Sequence, residues 1–310
     1  MRALITGISG FVGGHLARFL HEKGLSLWAS SHQHVRRFPF SVRWIQTDLT
    51  KFNETLELIR KSRPDYLFHL AGQAVPRKSW QDPLGTFQGN STASLHLLEA
   101  VLRLAPKTRV VFVSSAQVYG TTFLEKKFVR ETNLANPPTP YAGSKLVMEL
   151  AALHYVKRHR LHVTIARAFN QVGTGQPADY VFSDFCRQVA LLEKRKQGPF
   201  LEVGNLNLVR DFIHVRDAAR AYWFLAKRGK SGEIYNVGLG QGIHLQAVVD
   251  FLAKQSRILF KLKMISSRFR RNDFPRLVGS SSKLRRLGWR PQESVWEGLQ
   301  ELLEEWREKV

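Results

Sequence analysis

The stretch "RALITGISGFVGGHLARFL", residues 2–20, decides the fold. Its first five residues form a short apolar run, and Leu16, Phe19 and Leu20 then recur at helical spacing up to Gly24. Between run and helix stand Gly7, Gly10 and Gly13 as G-x-x-G-x-x-G. The spacing predicts strand, glycine turn, helix. Glycines lacking a Cβ let backbone N–H groups and a helix N-terminus approach a pyrophosphate, so Gly7, Gly10, Phe11, Val12 and Gly13 are candidate dinucleotide-binding residues. The alternative is a turn with a purely structural purpose.

Working outward, the same theme repeats. Further strand-like runs are "LSLWAS" at 25–30, "VRWIQTDL" at 42–49, "YLFHLAG" at 66–72 and "RVVFVSS" at 109–115, with helical patterns at 53–62 and 91–104. "PYAGSKLVMELAALHYVKRH" is a long helical pattern and "HVTIARAF" the strand after it. This alternation predicts an α/β fold, a Rossmann-like doubly wound parallel sheet. Beyond about residue 171 it becomes irregular, with turn signals at "GTGQP", "GNLN" and "GLGQG", which predicts a smaller lobe of loops and short helices. The expected division is a dinucleotide-binding domain over 1–170 and a mainly substrate-binding lobe over 171–310. Segments at about 207–240 are candidates for returning to the first.

The 310 residues are 44% hydrophobic, enough for a sizeable core. No run approaches the ~20 apolar residues of a membrane span, and the glycine-punctuated N-terminus lacks the cleavage site of a signal peptide. The single cysteine, Cys186, excludes a disulfide framework and a cysteine-based metal cluster. A cytoplasmic protein without a metal centre is expected. Lys and Arg number 47 against 25 Asp and Glu, a net charge of +22 that draws anions. The basic residues are scattered through "RRFPFSVR", "KRHR", "LEKRKQ", "SRFRRND" and "KLRRLGWR", with no nucleic-acid motif, so an anionic small-molecule substrate is the expected partner and not nucleic acid.

The acid that would bind a ribose 2′-hydroxyl belongs about 20 residues past the glycine turn. The chain has "ASSHQHVRR" there, with no Asp or Glu between Glu22 and Asp48. Ser30, Ser31, His32, Arg36 and Arg37 suit a 2′-phosphate, so NADP(H) is expected, with NAD(H) as the alternative. Asp48 and Leu49 close the third strand, where an acid can accept from an adenine amino group.

Tyr141 and Lys145 stand as Y-x-x-x-K and project from one helical face. A phenol of pKa about 10 works poorly near neutrality unless a neighbouring cation lowers it, and Lys145 with an oxidised nicotinamide would do so. Ser115, at the end of the preceding strand, can donate a hydrogen bond to a substrate oxygen. With the glycine turn these three form a candidate catalytic set.

On "TGISGFVG", "DL" at 48–49, "HLAG", Asn90, "SSAQVYG", "PYAGSK", "ARAFN", "VRDFIHVRDAARAY", "GEIYNVG" and "LGWRP", the chain resembles the extended short-chain dehydrogenase/reductase family of nucleotide-sugar enzymes over essentially its full length. "RAFNQVGTGQ", "EVGNLNLVRDF" and "RRNDFPRLVGSSSKLRRLGW" are similar to the branch of GDP-mannose 4,6-dehydratases and, more closely, GDP-6-deoxy-4-keto-mannose reductases. The resemblance implies that Leu70, Ala71, Gly72 and Asn90 line the cofactor, and that Ser115, Asn170, Arg210, Arg270 and Asp273 face a GDP-linked sugar. Guanidinium groups suit a diphosphate because they grip it bidentately. It also implies a homodimer, pairing the helix from about Ser91 with the Tyr141 helix across a two-fold axis.

The residues after Ser115 narrow the chemistry. Dehydratases of this kind carry an acidic pair or a glutamate there, because eliminating water needs a base for the C5 proton and an acid for the leaving hydroxyl. Here the positions hold Ala116 and Gln117, which can do neither. The expected activity is NADPH-dependent reduction of the C4 ketone of a GDP-4-keto-6-deoxyhexose, giving GDP-D-rhamnose or its C4 epimer. The alternatives are a C4 epimerase with tightly held NAD, a bifunctional dehydratase and reductase, or an inactive nucleotide- or nucleic-acid-binding relative.

Overall fold

The computed structural model describes residues 1–32, 37–269 and 273–310. Two of the expected site residues, Arg36 and Arg270, lie outside the described residues.

Seven strands form the main sheet: β1 (Arg2–Thr6), β2 (Ser26–Ser31), β3 (Val42–Gln46), β4 (Tyr66–His69), β5 (Arg109–Ser115), β6 (His162–Ala168) and, returning late, Ile234–Val237. Reading across the sheet from the returning strand, the order is β6, β5, β4, β1, β2, β3, and every neighbouring pair is parallel. Parallel strands are buried on both faces and so read as unbroken apolar runs, as "VVFV" does in β5. The winding reverses between β1 and β4, and a crevice opens there at the carboxyl ends of the strands.

Helices cover both faces. Helix α1 (Phe11–Glu22) and the helix Val215–Arg228 bury Leu16, Leu20, Tyr222 and Leu225 against one. Helix α2 (Phe52–Ser62), Ala93–Leu104 and Pro140–His159 bury Leu58, Leu97, Val101, Met148 and Ala152 against the other. The helix Pro140–His159 begins where the Thr139 hydroxyl accepts from the Ala142 N–H at 3.1 Å, and Pro140 fits a first turn that needs no N–H. Lys157, Arg158 and His159 complement the dipole of its last turn. Its buried face carries Tyr141, Lys145 and Glu149 among the apolar residues.

The remaining strands are shorter. β8 (Phe200–Val203) pairs with Lys261–Met264, while β7 (Asn170–Val172) and β9 (Val209–His214) pair in parallel, with Gly242–His244 and Arg276–Leu277 on either side of β9. A separate core of Phe182, Phe185, Val189, Leu201, Val249, Leu299 and Leu303 holds this region together. Its helices are longer than the turn signals suggest. Val295–Lys309 starts at a reciprocal capping box of Ser294 and Glu297, and places Leu299, Leu302 and Leu303 on one buried face. Among the described residues no helix is long and apolar enough to cross a membrane.

Candidate active site

The glycine turn is set by close packing. Gly7 has φ +75°, and a Cβ there would meet the Ala71 backbone nitrogen at 2.7 Å; a Cβ on Gly13 would lie 2.2 Å from the Gly7 carbonyl oxygen. The turn therefore presses on the end of β4, and α1 presses on the turn. The helix has Gly10 at its N-cap, no side chain capping it and no acid in its first turn. Its first N–H groups face the crevice side of the turn without an internal anion, which fits a pyrophosphate.

Buried polar bonds fix β4 beneath that turn. His69, 1% exposed, places Nδ1 2.7 Å from the Thr6 hydroxyl and Nε2 2.9 Å from that of Ser94. Desolvation, with Lys145 adding to it, lowers its pKa to about 3, so it is a neutral spacer. Thr6 also accepts from the Ala71 N–H at 3.3 Å. At the next residue, Gly72 with φ +142° leaves room for Asn90, whose Oδ1 a Cβ would strike at 2.2 Å. Asn90 lies in a π turn, Gln88–Thr92, and donates to the Gln73 carbonyl at 3.2 Å and the Ser144 hydroxyl at 2.9 Å. Such extra-residue turns gather at functional sites.

At the far end of the crevice β2 closes on Ser30 and Ser31, and among the described residues no acid follows it before Asp48. Asp48 accepts from the Thr50 hydroxyl at 2.6 Å and N–H at 3.0 Å, bonds that hold its carboxyl below the ordinary range; His32 stands 3.6 Å away.

Ser115 ends β5 and accepts from the Gln117 N–H at 3.2 Å, opening a short 3₁₀ turn that carries Ala116 and Gln117. Tyr141 is 7% exposed. Burial pushes its phenol up to about 12, against a hydrogen bond with Ser115 that pulls the other way. This differs from the lowered pKa expected of a tyrosine beside a lysine. The physical reason is burial, whereas the expectation counted on an oxidised nicotinamide as well as Lys145; Lys145 Nζ donates to the Val113 carbonyl at 3.1 Å, and its own pKa falls to about 8 through burial, opposed by Glu149.

These groups share one cleft of about 1700 Å³, lined also by Gly7, Gly10, Phe11, Val12, Gly13, Ser31, His32, Asp48, Leu49, Leu70, Ala71, Gly72, Asn170, Arg210 and Asp273. Single small-ligand pockets run to ~300–1,000 Å³, so the cleft has room for two ligands. Asn90 stands behind this wall. Arg210 is paired with Asp273 at 2.7 Å and donates to the Phe274 carbonyl at 2.7 Å. Asn170 donates to the Asp211 carbonyl at 3.1 Å. Sequence reasoning did not find His69, Ser144, or Arg268, which bridges Asp184 and, at 3.5 Å, Glu202 on the cleft wall. His69 and Ser144 fall within "HLAG" and "PYAGSK" and Arg268 within "SRFRRND", but their partners lie far along the chain or, for Ser144, in another helix, so nothing local assigns them a role.

A doubly wound parallel sheet with a glycine turn at its first junction, and a serine, a tyrosine and a lysine at the mouth of its crevice, is the architecture of short-chain dehydrogenase/reductase-type oxidoreductases. The chain belongs to the GDP-mannose 4,6 dehydratase family, whose pattern matches residues 4–302. It is 31% identical over 310 residues to the GDP-6-deoxy-D-mannose reductase of Pseudomonas aeruginosa, spanning 100% of this chain and 98% of that protein. The solved structure of RMD from Pseudomonas aeruginosa complexed with NADPH matches with a TM-score of 0.88 at 30% identity, covering 100% of this chain and 99% of that one. The UDP-glucose 4-epimerase of Thermus thermophilus, solved in complex with NAD, matches with a TM-score of 0.89 at 28% identity over 100% of both chains. Reductases, dehydratases and epimerases of nucleotide sugars thus surround it.

Proposed function

We propose that this protein is an NADPH-dependent reductase of the C4 ketone of a GDP-4-keto-6-deoxyhexose, forming GDP-D-rhamnose or its C4 epimer. The observation that carries this reading is the pairing of Ser115 and Tyr141 with Ala116 and Gln117 on one cleft wall. NADPH, when bound, supplies the hydride. The glycine turn and the N-terminus of α1 take its pyrophosphate, Ser31 and His32 its 2′-phosphate end, Asp48 and Leu49 its adenine.

Tyr141 gives its proton to the oxygen that was the ketone's. Burial keeps this phenol protonated at the start of the reduction, and the positive nicotinamide left by hydride transfer would bring its pKa down towards the working range. Ser115 steadies that oxygen by hydrogen bond, and Lys145 holds the nicotinamide ribose. Elimination of water would need a base at C5. The acids lining the cleft are Asp48, Asp179, Asp184, Glu202 and Asp273. Asp48 sits at the cofactor end, Asp184 and Glu202 meet Arg268, and Asp273 meets Arg210. That leaves Asp179, the residue to mutate first if dehydration is ever seen.

Arg210 and Asn170, with Arg270, take the GDP part; Asp273 serves by aiming Arg210. In this reading residues 1–170 chiefly hold the cofactor and 171–310 the nucleotide sugar. A cytoplasmic setting suits the single, buried Cys186. The enzyme acts as a homodimer, a reading supported by Leu95, Val147 and Leu150, apolar yet 39%, 40% and 59% exposed on the two helices expected to pair. The likeness to an epimerase bound to NAD favours one second reading, C4 epimerisation. Purified protein carrying retained NAD⁺ and interconverting C4 epimers without consuming NADPH would establish that reading; NADPH consumption with the keto sugar supports reduction.

A further inference from the structure

Behind the site lies an ion pair that the chemistry above does not use. Glu149 and Arg167 are 1% and 4% exposed, with Arg167 Nη2 2.7 Å from Glu149 Oε2 and Nε 3.0 Å from Oε1. Two charges taken from water gain little stability over apolar groups of the same volume, so the pair calls for another purpose. Its position supplies one. Glu149 is one helical turn beyond Lys145 on the same buried face. Ser114, the neighbour of Ser115, donates to Glu149 Oε1 at 2.5 Å and stands in register with Arg167 across β5 and β6. The Arg167 guanidinium lies 4.6 Å from the ring centroid of Tyr119, at the end of the 3₁₀ turn that follows Ser115, and Tyr119 donates to Asn236 at 2.7 Å.

We propose that Glu149, locked by Arg167, is a positioning residue that ties the Ser115 strand to the Tyr141 helix and keeps the Lys145 ammonium charged in its buried place. The inference rests on the reading of Lys145 as the residue that holds the nicotinamide ribose. Among the described residues the titratable groups near Lys145 are few. From β4 comes His69, neutral between Thr6 and Ser94; from its own helix come Tyr141, a neutral phenol, and Glu149; Arg167 on β6 is committed to Glu149. Burial drives Lys145 towards its uncharged form, and Glu149 is the charge that opposes this.

Glu149→Gln alone would strand Arg167 as a buried unpaired cation, so the main test uses Glu149→Gln/Arg167→Met, which removes both charges, beside Glu149→Asp, which keeps them. NADPH affinity is measured by fluorescence from pH 6 to 10. In the parent it should weaken on the alkaline side as Lys145 loses its proton, and Lys145→Met should lack that limb. The double variant should show the limb lower by up to about half a pH unit, because the negative charge that supports the ammonium is lost together with a positive charge that partly cancels it, while Glu149→Asp should keep it near the parent's. A parent without a Lys145-dependent limb, or a double variant with weaker binding and an unmoved limb, would overturn the proposal. Failure of the reductase reading looks different: the limb moves as stated, yet no protein turns over the keto sugar.

Discussion

The side-chain amide of Asn90 donates to the Ser144 hydroxyl at 2.9 Å, joining a π turn of one helix to the helix that carries Tyr141 and Lys145. The same amide reaches the Gln73 carbonyl, just past the strand end that lines the cleft. Asn90→Ala should therefore misplace Tyr141 and Lys145 together. Turnover is expected to fall roughly tenfold to a hundredfold, since small displacements of reacting groups cost on that scale. Unchanged kcat would show that the bond has no part in the chemistry.

Tyr141→Phe should bind NADPH nearly as the parent does and turn over about 10² to 10⁴ times more slowly, the range for a lost acid or base. The check is single-turnover kinetics beside a binding titration. Near-normal turnover would mean that the proton comes from another group.

Gly13→Ala tests the cofactor turn. Its new methyl would sit 2.2 Å from the Gly7 carbonyl and 2.7 Å from the Ile8 Cα, both backbone atoms that cannot swing aside. Overpacking of this kind costs roughly 1–3 kcal/mol, and the displaced turn should weaken NADPH binding as well. Urea unfolding and fluorescence titration read the two effects.

Ser31→Asp places an acid where a ribose diol would be held and a 2′-phosphate repelled. The ratio of kcat/KM for NADPH over NADH should drop about tenfold or more, equivalent to about 1.4 kcal/mol. A parent protein already equal or better with NADH would reject the cofactor preference itself.

Light scattering at micromolar concentration should give twice the mass of one chain, and Val147→Glu/Leu150→Glu should give one. A parent that scatters as a single chain would remove the dimer.

The parts of the site legible in the sequence are those built from neighbours along the chain. Gly7, Gly10 and Gly13 mark a turn whose geometry depends on adjacent residues, and Tyr141 and Lys145 share a face by helical spacing alone. Bonds made by sheet register are invisible there. Glu149 meets Arg167 across 18 positions and Arg210 meets Asp273 across 63, so neither partner reveals the other until the strands align. On a helix, Glu149 reads as a solvated face; it is buried because β5 and β6 bring it Ser114 and Arg167. The last helix exceeds expectation for a different reason: its start is written locally in Ser294 and Glu297, but the glycine-rich turns upstream point to a lobe of short elements.

The central claim is that Ala116 and Gln117 leave this site with redox chemistry and without elimination. The direct measurement is a paired incubation, GDP-mannose with NADP⁺ in one and GDP-4-keto-6-deoxymannose with NADPH in the other, followed by mass spectrometry and by NMR of the sugar. The account predicts no loss of water from GDP-mannose, and stoichiometric oxidation of NADPH with one C4 alcohol formed from the keto sugar. A 4-keto-6-deoxy sugar produced from GDP-mannose at a rate comparable to the reduction, or a keto sugar left untouched, would contradict it.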